Sequence, residues 1–168
     1  MDVMEAIRAR RSIRQYENRP LPEEVLGEIL EAARLAPSAR NRQDWRFVVV
    51  KDEQQVQRVA AATGQSFLAT APVIIAGVGL QPEQVMRCGV PNYAVDLAIA
   101  MTNITLAATA HGLGTCWIGS FDQEEVKKVL KIPDTYKVVE LMSLGYPAEQ
   151  PAARPRKPLS EVVSYDYF

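Results

Sequence analysis

The chain has 168 residues, of which 48% are hydrophobic and 23% charged, and its net charge is −1 with a pI of about 5.9. This composition is typical of one globular domain and excludes a general attraction to nucleic acid or to anionic membranes. Two cysteines and one histidine are too few for a disulfide framework or a tetrahedral zinc site, so we predict no metal. The N-terminal segment has no apolar run typical of a signal peptide, so we expect a cytoplasmic protein.

Apolar spacing, caps and breakers divide the chain into alternating helices and strands. Prolines and glycines close most of the segments, and β-branched runs mark the strands. In chain order we predict a helix from Asp2 into the basic run at 8–14, a helix over 23–35, a strand over 46–51, a helix over 53–62, a helical turn over 65–70, a strand over 73–79, a helix over 93–111, a strand over 115–118, a helix after Asp122, a strand over 138–145 and a short element over 159–163.

The segment 93–111 is the predicted centre of the fold. It is rich in Ala, Leu, Ile and Met, and it stops at Gly112, which fits a helix C-cap. Apolar residues fall on nearly every side, as in a membrane span or a helix at the centre of a core. Asp96, Asn103 and His111 argue against the membrane. We therefore expect a core helix that needs a second subunit to cover part of its surface.

The order of elements predicts a sheet flanked by helices. The sequence GVGLQP after the second strand lacks the third glycine of the dinucleotide-binding fingerprint, which makes a Rossmann site improbable.

Two basic clusters lie far apart in the sequence. One contains Arg10, Arg11, Ser12 and Arg14, and the other contains Arg154, Arg156 and Lys157. Arginine pairs with a hydroxyl suit a phosphate monoester, which has about two negative charges and several acceptors. Taken alone, the spacing favours the alternative, in which solvated arginines lie at a helix end and interact with the helix dipole.

Two further segments have polar groups that a ligand can use. The loop PSARNRQDW places Ser38, Asn41 and Gln43 between Pro37 and Trp45, and such amides suit a planar heterocycle. The segment GLGTCWIGSFD leaves the backbone N–H groups of Gly119 and Ser120 open just before a capped helix. Each segment, taken alone, fits an ordinary turn better.

Four stretches together resemble the FMN-dependent nitroreductase family in its short single-domain form. They are RRSIRQY, APSARNRQDWRFVVV, YAVDLAIAMTNITLAATAHGLGTCWIG and LGYPAEQPAARPRKPLSEVV, and they span nearly the whole chain in family order. The resemblance implies one α+β domain over 1–168 with a mixed central β-sheet flanked by helices. It also implies an intertwined homodimer with paired long central helices and an extended C-terminal tail, 146–168, that packs on the partner subunit.

The resemblance also implies the cofactor and the residues that hold it. One FMN is expected in each of two sites at the subunit interface. Arg10 and Ser12 are expected to hold its phosphate and ribityl chain, with Arg11 and Arg14 beside them, and Arg154 and Arg156 complete the phosphate site. The ring is expected to contact Pro37, Ser38 and Asn41 of the other subunit, Gly119 at N5 with Ile118 and Ser120 adjacent, and Gln65 at the pyrimidine edge.

The activity implied is a ping-pong hydride transfer from NADH or NADPH, through flavin N5, to nitroaromatics, quinones or similar small acceptors. No side chain is assigned as a catalytic acid or base. The alternative is a flavin-binding sensor or carrier without significant turnover. Neither of these two functions involves nucleic acid or a membrane.

Overall fold

The computed structural model describes residues 1–168. Each predicted helix and strand is present, with ends that differ from the prediction by one or two residues. The helices are α1 (Val3–Ala9), α2 (Glu23–Arg34), α3 (Glu53–Thr63), α4 (Asn92–Ala110) and α5 (Gln123–Leu130), the strands are β1 (Trp45–Val50), β2 (Val73–Gly79), β3 (Gly114–Ile118) and β4 (Lys137–Gly145), and short 3₁₀ turns cover Ala39–Asn41, Ser66–Thr70 and Leu159–Glu161.

The four strands form one sheet in the order β1-β2-β4-β3, and every pair is antiparallel. The prediction of a mixed sheet is therefore wrong for these four strands. The only parallel pairing is a single bridge between Ser12 and Thr115. Helical connections between strands allow either direction, so the order of elements alone does not determine whether neighbours run parallel.

Strand β2 lies inside the sheet, and all seven of its residues are buried. Successive side chains point to opposite faces, so Ile75 joins the core under α2 and α4, while Ile74 joins the core under α3 and α5. The apolar run at 73–79, which the sequence predicts as a strand buried on both faces, is confirmed.

Helix α4 ends where the sequence predicts. Gly112 adopts a left-handed conformation with φ 71°, and the amides of Gly112 and Leu113 donate to the carbonyls of Thr109 and Ala108. This bonding pattern is a Schellman motif, which satisfies carbonyls left free by the helix end. The helix is long and apolar enough to span a membrane, yet Met101 and Ile104 on it are fully buried in the core with α2 and the sheet.

Several large apolar side chains are exposed on the surface of the single chain. Among them, Val3, Met4 and Ile7 lie on α1 and Ile99 lies on α4, and every residue over 152–168 is exposed. Since α1 packs against α4, their exposed apolar side chains are a candidate interaction site.

Candidate functional site

The segment after α1 is held against the sheet by backbone hydrogen bonds. The Ile13 amide donates to the Thr115 carbonyl of β3 at 2.9 Å. On its other side, the Glu17 amide donates to the Tyr146 carbonyl, and the Ala148 amide donates to the Gln15 carbonyl, both at 2.9 Å. The chain therefore brings its N-terminal segment and the start of its C-terminal tail side by side.

Buried side chains fix this segment in place. The Tyr16 hydroxyl donates to the Ile13 carbonyl and is 2.7 Å from the Ser143 hydroxyl of β4. Burial raises the pKa of Tyr16, so its hydroxyl stays protonated. A Cβ on Gly114 would lie 2.5 Å from the Ile13 side chain, so only glycine allows this close approach.

A cleft of about 620 Å³ opens between the two termini. It brings together both basic clusters that the sequence predicts, and its lining contains six arginines and one acid. These charged residues and the hydroxyl between them are Arg8, Arg10, Arg11, Ser12, Arg14, Arg154, Arg156 and Glu149.

The acid does not neutralise the arginines by ion pairing, because it is used by the backbone. Glu149 accepts hydrogen bonds from the amides of Arg14 and Gln15, and it forms no ion pair. The cleft is therefore strongly positive. Burial raises the pKa of the nearby Cys116 thiol, so this cysteine is a neutral core residue.

The arginines of the cleft are not equivalent. Arg11 donates to the carbonyls of Arg8, Ala9 and Arg10, so it satisfies the C-terminal end of α1, in agreement with the helix-end alternative. The side chains of Arg10 and Arg154 make no hydrogen bond within the chain. These guanidinium groups are free to bind an anion.

Gln65 lies outside the lining of this cleft. It precedes the turn Ser66–Thr70, where the Phe67 ring lies 6.0 Å from the Arg14 guanidinium. The Gln65 side chain makes no hydrogen bond within the chain, so it is available to a ligand.

The strand end that follows β3 keeps its amides open. Ile118 is buried, whereas Gly119 and Ser120 are exposed, and neither of their N–H groups donates to another backbone group. A Cβ on Gly119 would meet nothing within 4 Å. The open space and the unused donors fit the predicted contact with a ligand acceptor.

The amide-rich loop lies outside the arginine cleft of its own chain, and Pro37 and Asn41 on it are exposed. Ser38 accepts from the Gln43 amide at 3.0 Å, and Asp96 of α4 accepts from the Ala39 amide at 3.0 Å. Three non-glycine residues of the loop have left-handed backbones: Arg40, Asn41 and Gln43, with φ of 54°, 55° and 56°. Such strain clusters at functional sites.

Sequence reasoning did not assign two charged residues of the cleft. Arg8 belongs to the basic run and has a detectable signal, since it precedes Arg10 and Arg11 by one helical turn or less. Glu149 has no local signal, because its bonds join segments from opposite ends of the chain.

Comparisons with known proteins identify the family to which this fold belongs. The nitroreductase family model matches residues 7–73 and 61–146. The chain is 34% identical over 195 residues to the NADH dehydrogenase of Thermus thermophilus, covering 97% of this chain and 95% of that protein. It is 30% identical over 179 residues to the FMN reductase [NAD(P)H] of Bacillus subtilis, covering 96% and 72%.

A solved structure extends the agreement to three dimensions. The FMN-dependent nitroreductase of Clostridium difficile R20291 superposes with a TM-score of 0.87 at 29% identity, covering 98% of this chain and 99% of the other. The family match spans well over half of the chain and includes the N-terminal arginines and the sheet. The chain therefore belongs to the nitroreductase family.

Proposed function

We propose that the chain is an FMN-dependent oxidoreductase that transfers hydride from NADH or NADPH to nitroaromatics, quinones or similar small acceptors. The observation that carries the proposal is the cleft in which arginines from both ends of the chain lie together. A phosphate monoester is the chemical group that such a cluster binds best, since each guanidinium can donate two parallel hydrogen bonds to it.

The residues present fit the phosphate and ribityl parts of FMN. Arg10 and Arg154 have unused guanidinium groups, and Ser12 adds a half-buried hydroxyl in the same cleft. Arg156 and Arg14 extend the positive lining toward the tail and toward Phe67. These side chains bind and orient the cofactor through its phosphate.

The open backbone donors fit the ring. Gly119 offers an N–H to N5, with Ile118 and Ser120 on either side, and Gln65, whose side chain makes no hydrogen bond within the chain, serves the pyrimidine edge. The loop residues Pro37, Ser38 and Asn41 complete the ring site from the other subunit. The uncovered apolar residues of α1, α4 and the tail support the homodimer that this arrangement requires.

FMN, when bound, supplies the redox chemistry by accepting a hydride at N5 and passing it to a second substrate at the same face. The chain contributes positioning and charge. The one acid in the lining of the cleft, Glu149, accepts bonds from two backbone amides, so we assign no catalytic acid or base. One site then serves donor and acceptor in turn, which is a ping-pong scheme.

Steady-state oxidation of NADH and NADPH tests the proposal and separates it from a flavin sensor or carrier. The FMN-loaded protein is mixed with each donor and with a nitroaromatic or a quinone. An oxidoreductase gives turnover with parallel double-reciprocal lines, as a ping-pong scheme requires. A protein that holds FMN but does not turn over would be the sensor or carrier, and one that takes up no FMN would contradict both.

A further inference from the structure

A second arginine-lined cavity, separate from the cleft at the termini, has a volume of about 330 Å³. It lies between the strained loop at 39–42, the segment 84–87 and the start of α4. The polar residues that line it are Arg40, Arg42, Arg87, Gln84 and Asn92.

Two of these arginines have unused charges. Arg42 pairs with Asp44 at 2.9 Å, whereas Arg40 and Arg87 take part in no ion pair and donate no side-chain hydrogen bond. Both are exposed at the rim of the cavity. The cavity is therefore positive, and it has at least two guanidinium groups for an anion.

The backbone holds both arginines in defined positions. Arg40 has φ 54°, and the bonds from the Asn41 and Arg42 amides to the carbonyls of Ser38 and Ala39 close the turn around it. Arg87 lies in a tight turn in which the Gly89 amide donates to the Met86 carbonyl at 2.8 Å. These turns fix the backbone positions from which both guanidinium groups reach the cavity.

The start of α4 forms part of the cavity wall. Asn92 lines the cavity and begins α4, and no side chain caps this helix end. The positive end of the helix dipole favours a bound anion, as the charges of Arg40 and Arg87 do. A phosphate group matches this set of donors.

We propose that this cavity binds a phosphate of the nicotinamide dinucleotide, with Arg40 and Arg87 as its ligands. The proposal rests on the proposed function, because there the adjacent residues Ser38 and Asn41 line the ring to which the donor delivers its hydride. Either the 2′-phosphate of NADPH or the pyrophosphate shared by both donors has the required chemistry.

The test measures kcat and KM for NADPH and NADH with the FMN-loaded wild type and with the variants Arg40→Gln and Arg87→Gln. The charge-matched control is Arg58→Gln, since Arg58 is an exposed residue of α3. We expect KM for NADPH to rise roughly 10-fold or more in each cavity variant, as for the loss of a charge-assisted hydrogen bond, with kcat at saturation nearly unchanged. The control keeps wild-type values.

The pattern across donors identifies the phosphate. A rise in KM for NADPH alone assigns the 2′-phosphate, and a rise for both donors assigns the pyrophosphate. Unchanged KM values for both donors in both cavity variants overturn the proposal, while turnover by the same samples leaves the proposed function intact.

A binding measurement without redox chemistry keeps the two proposals distinguishable. Calorimetric titration with 2′-phospho-ADP-ribose and with ADP-ribose needs no flavin reduction. We expect Arg87→Gln to weaken the binding of at least one of them roughly 10-fold relative to Arg58→Gln. Equal affinities of Arg87→Gln and Arg58→Gln for both nucleotides overturn the cavity proposal, even if the chain proves unable to oxidise either donor.

Discussion

Arg10 and Arg156 come from opposite ends of the chain and line one cleft. The Arg10 guanidinium makes no hydrogen bond within the chain, and Arg156 donates only to carbonyls of its own segment, those of Arg154 and Pro155. Neither residue therefore supports the fold through a long-range bond. A ligand is the simplest explanation for charges of one sign held so close together.

Substitution of either arginine by alanine tests this role at the residue scale. We expect Arg10→Ala and Arg156→Ala each to weaken FMN binding roughly 10-fold or more, because each removes charge-assisted bonds to the phosphate. Fluorescence titration of the apoprotein measures the change, and Arg58→Ala on α3 is the control. Unchanged affinity in both variants would show that the phosphate binds elsewhere.

Glu140 on β4 is fully buried, and neither of its carboxylate oxygens has a hydrogen-bond partner. Burial raises the pKa of Glu140 from its usual 4.5 to about 8. The folded chain therefore binds a proton that the unfolded chain releases. The contribution of Glu140 to the free energy of unfolding decreases as the pH rises from 4.5 to 8 and stays constant above that range. The total decrease is up to about 5 kcal/mol.

Replacement by glutamine removes this titration. We expect Glu140→Gln to lose the decrease in the free energy of unfolding between pH 5 and pH 9, and to be more stable than wild type at pH 9. Urea unfolding at pH 5, 7 and 9 measures the free energy of unfolding of both proteins. The other titratable groups contribute equally to the two proteins, so the difference between their pH profiles reports Glu140. Parallel pH profiles for the two proteins would contradict a buried, proton-binding Glu140.

At the scale of elements, local signals predicted most of the fold. Caps at Asp2 and Gly112 fix the ends of α1 and α4, because capping depends on neighbouring residues only. Asp122 caps α5 in the same way, by accepting from the amides of Glu124 and Glu125. Strand direction depends on contacts between distant segments, so local sequence signals could not predict that the sheet is antiparallel.

The candidate site was also predicted only in part from local sequence signals. The two basic clusters are visible in the sequence, but their spacing alone favoured solvated arginines, and only the family resemblance joined them. The structure supplies the physical link, which is the pairing of Gln15 and Glu17 with Tyr146 and Ala148. The role of Glu149 follows from this pairing and has no signal in the local sequence.

Gly114 tests how the N-terminal segment is positioned. A Cβ at this position meets Ile13 at 2.5 Å, so Gly114→Ala should push the segment with Ser12 away from β3. We expect a loss of about 1–3 kcal/mol in the free energy of unfolding, as in other overpacked sites, together with weaker FMN binding. Gly27→Ala on α2, where a Cβ meets nothing, is the control. Equal stability of Gly114→Ala and wild type would contradict the close approach.

At the scale of the whole molecule, the uncovered apolar residues indicate that one chain is not the complete unit. Ile99 on α4 is 36% exposed, and Tyr165 and Tyr167 in the tail are more than 80% exposed. Exposed α4 surface agrees with the expectation that a second subunit covers the central helix. The start of the tail, however, pairs with its own chain at residues 15–17, so only the later part of 146–168 is free to reach a partner.

We expect the protein to sediment as a homodimer and Ile99→Glu to dissociate it, since a charge would be buried at the interface. Because the proposed ring site uses a loop of the other subunit, the variant should also lose FMN. Gln54→Glu adds the same charge to an exposed position of α3, on the other face of the sheet, and should stay dimeric. Sedimentation of wild type as a monomer alone would contradict the two-subunit site.

Comparison of FMN with riboflavin tests the central claim most directly, because the two ligands differ only by the phosphate. Titration of the apoprotein should give an affinity for FMN at least about 100-fold above that for riboflavin, as expected for two or more charge-assisted contacts to the phosphate. Equal affinity for the two ligands, or no binding of FMN, would contradict an arginine cleft that anchors the cofactor.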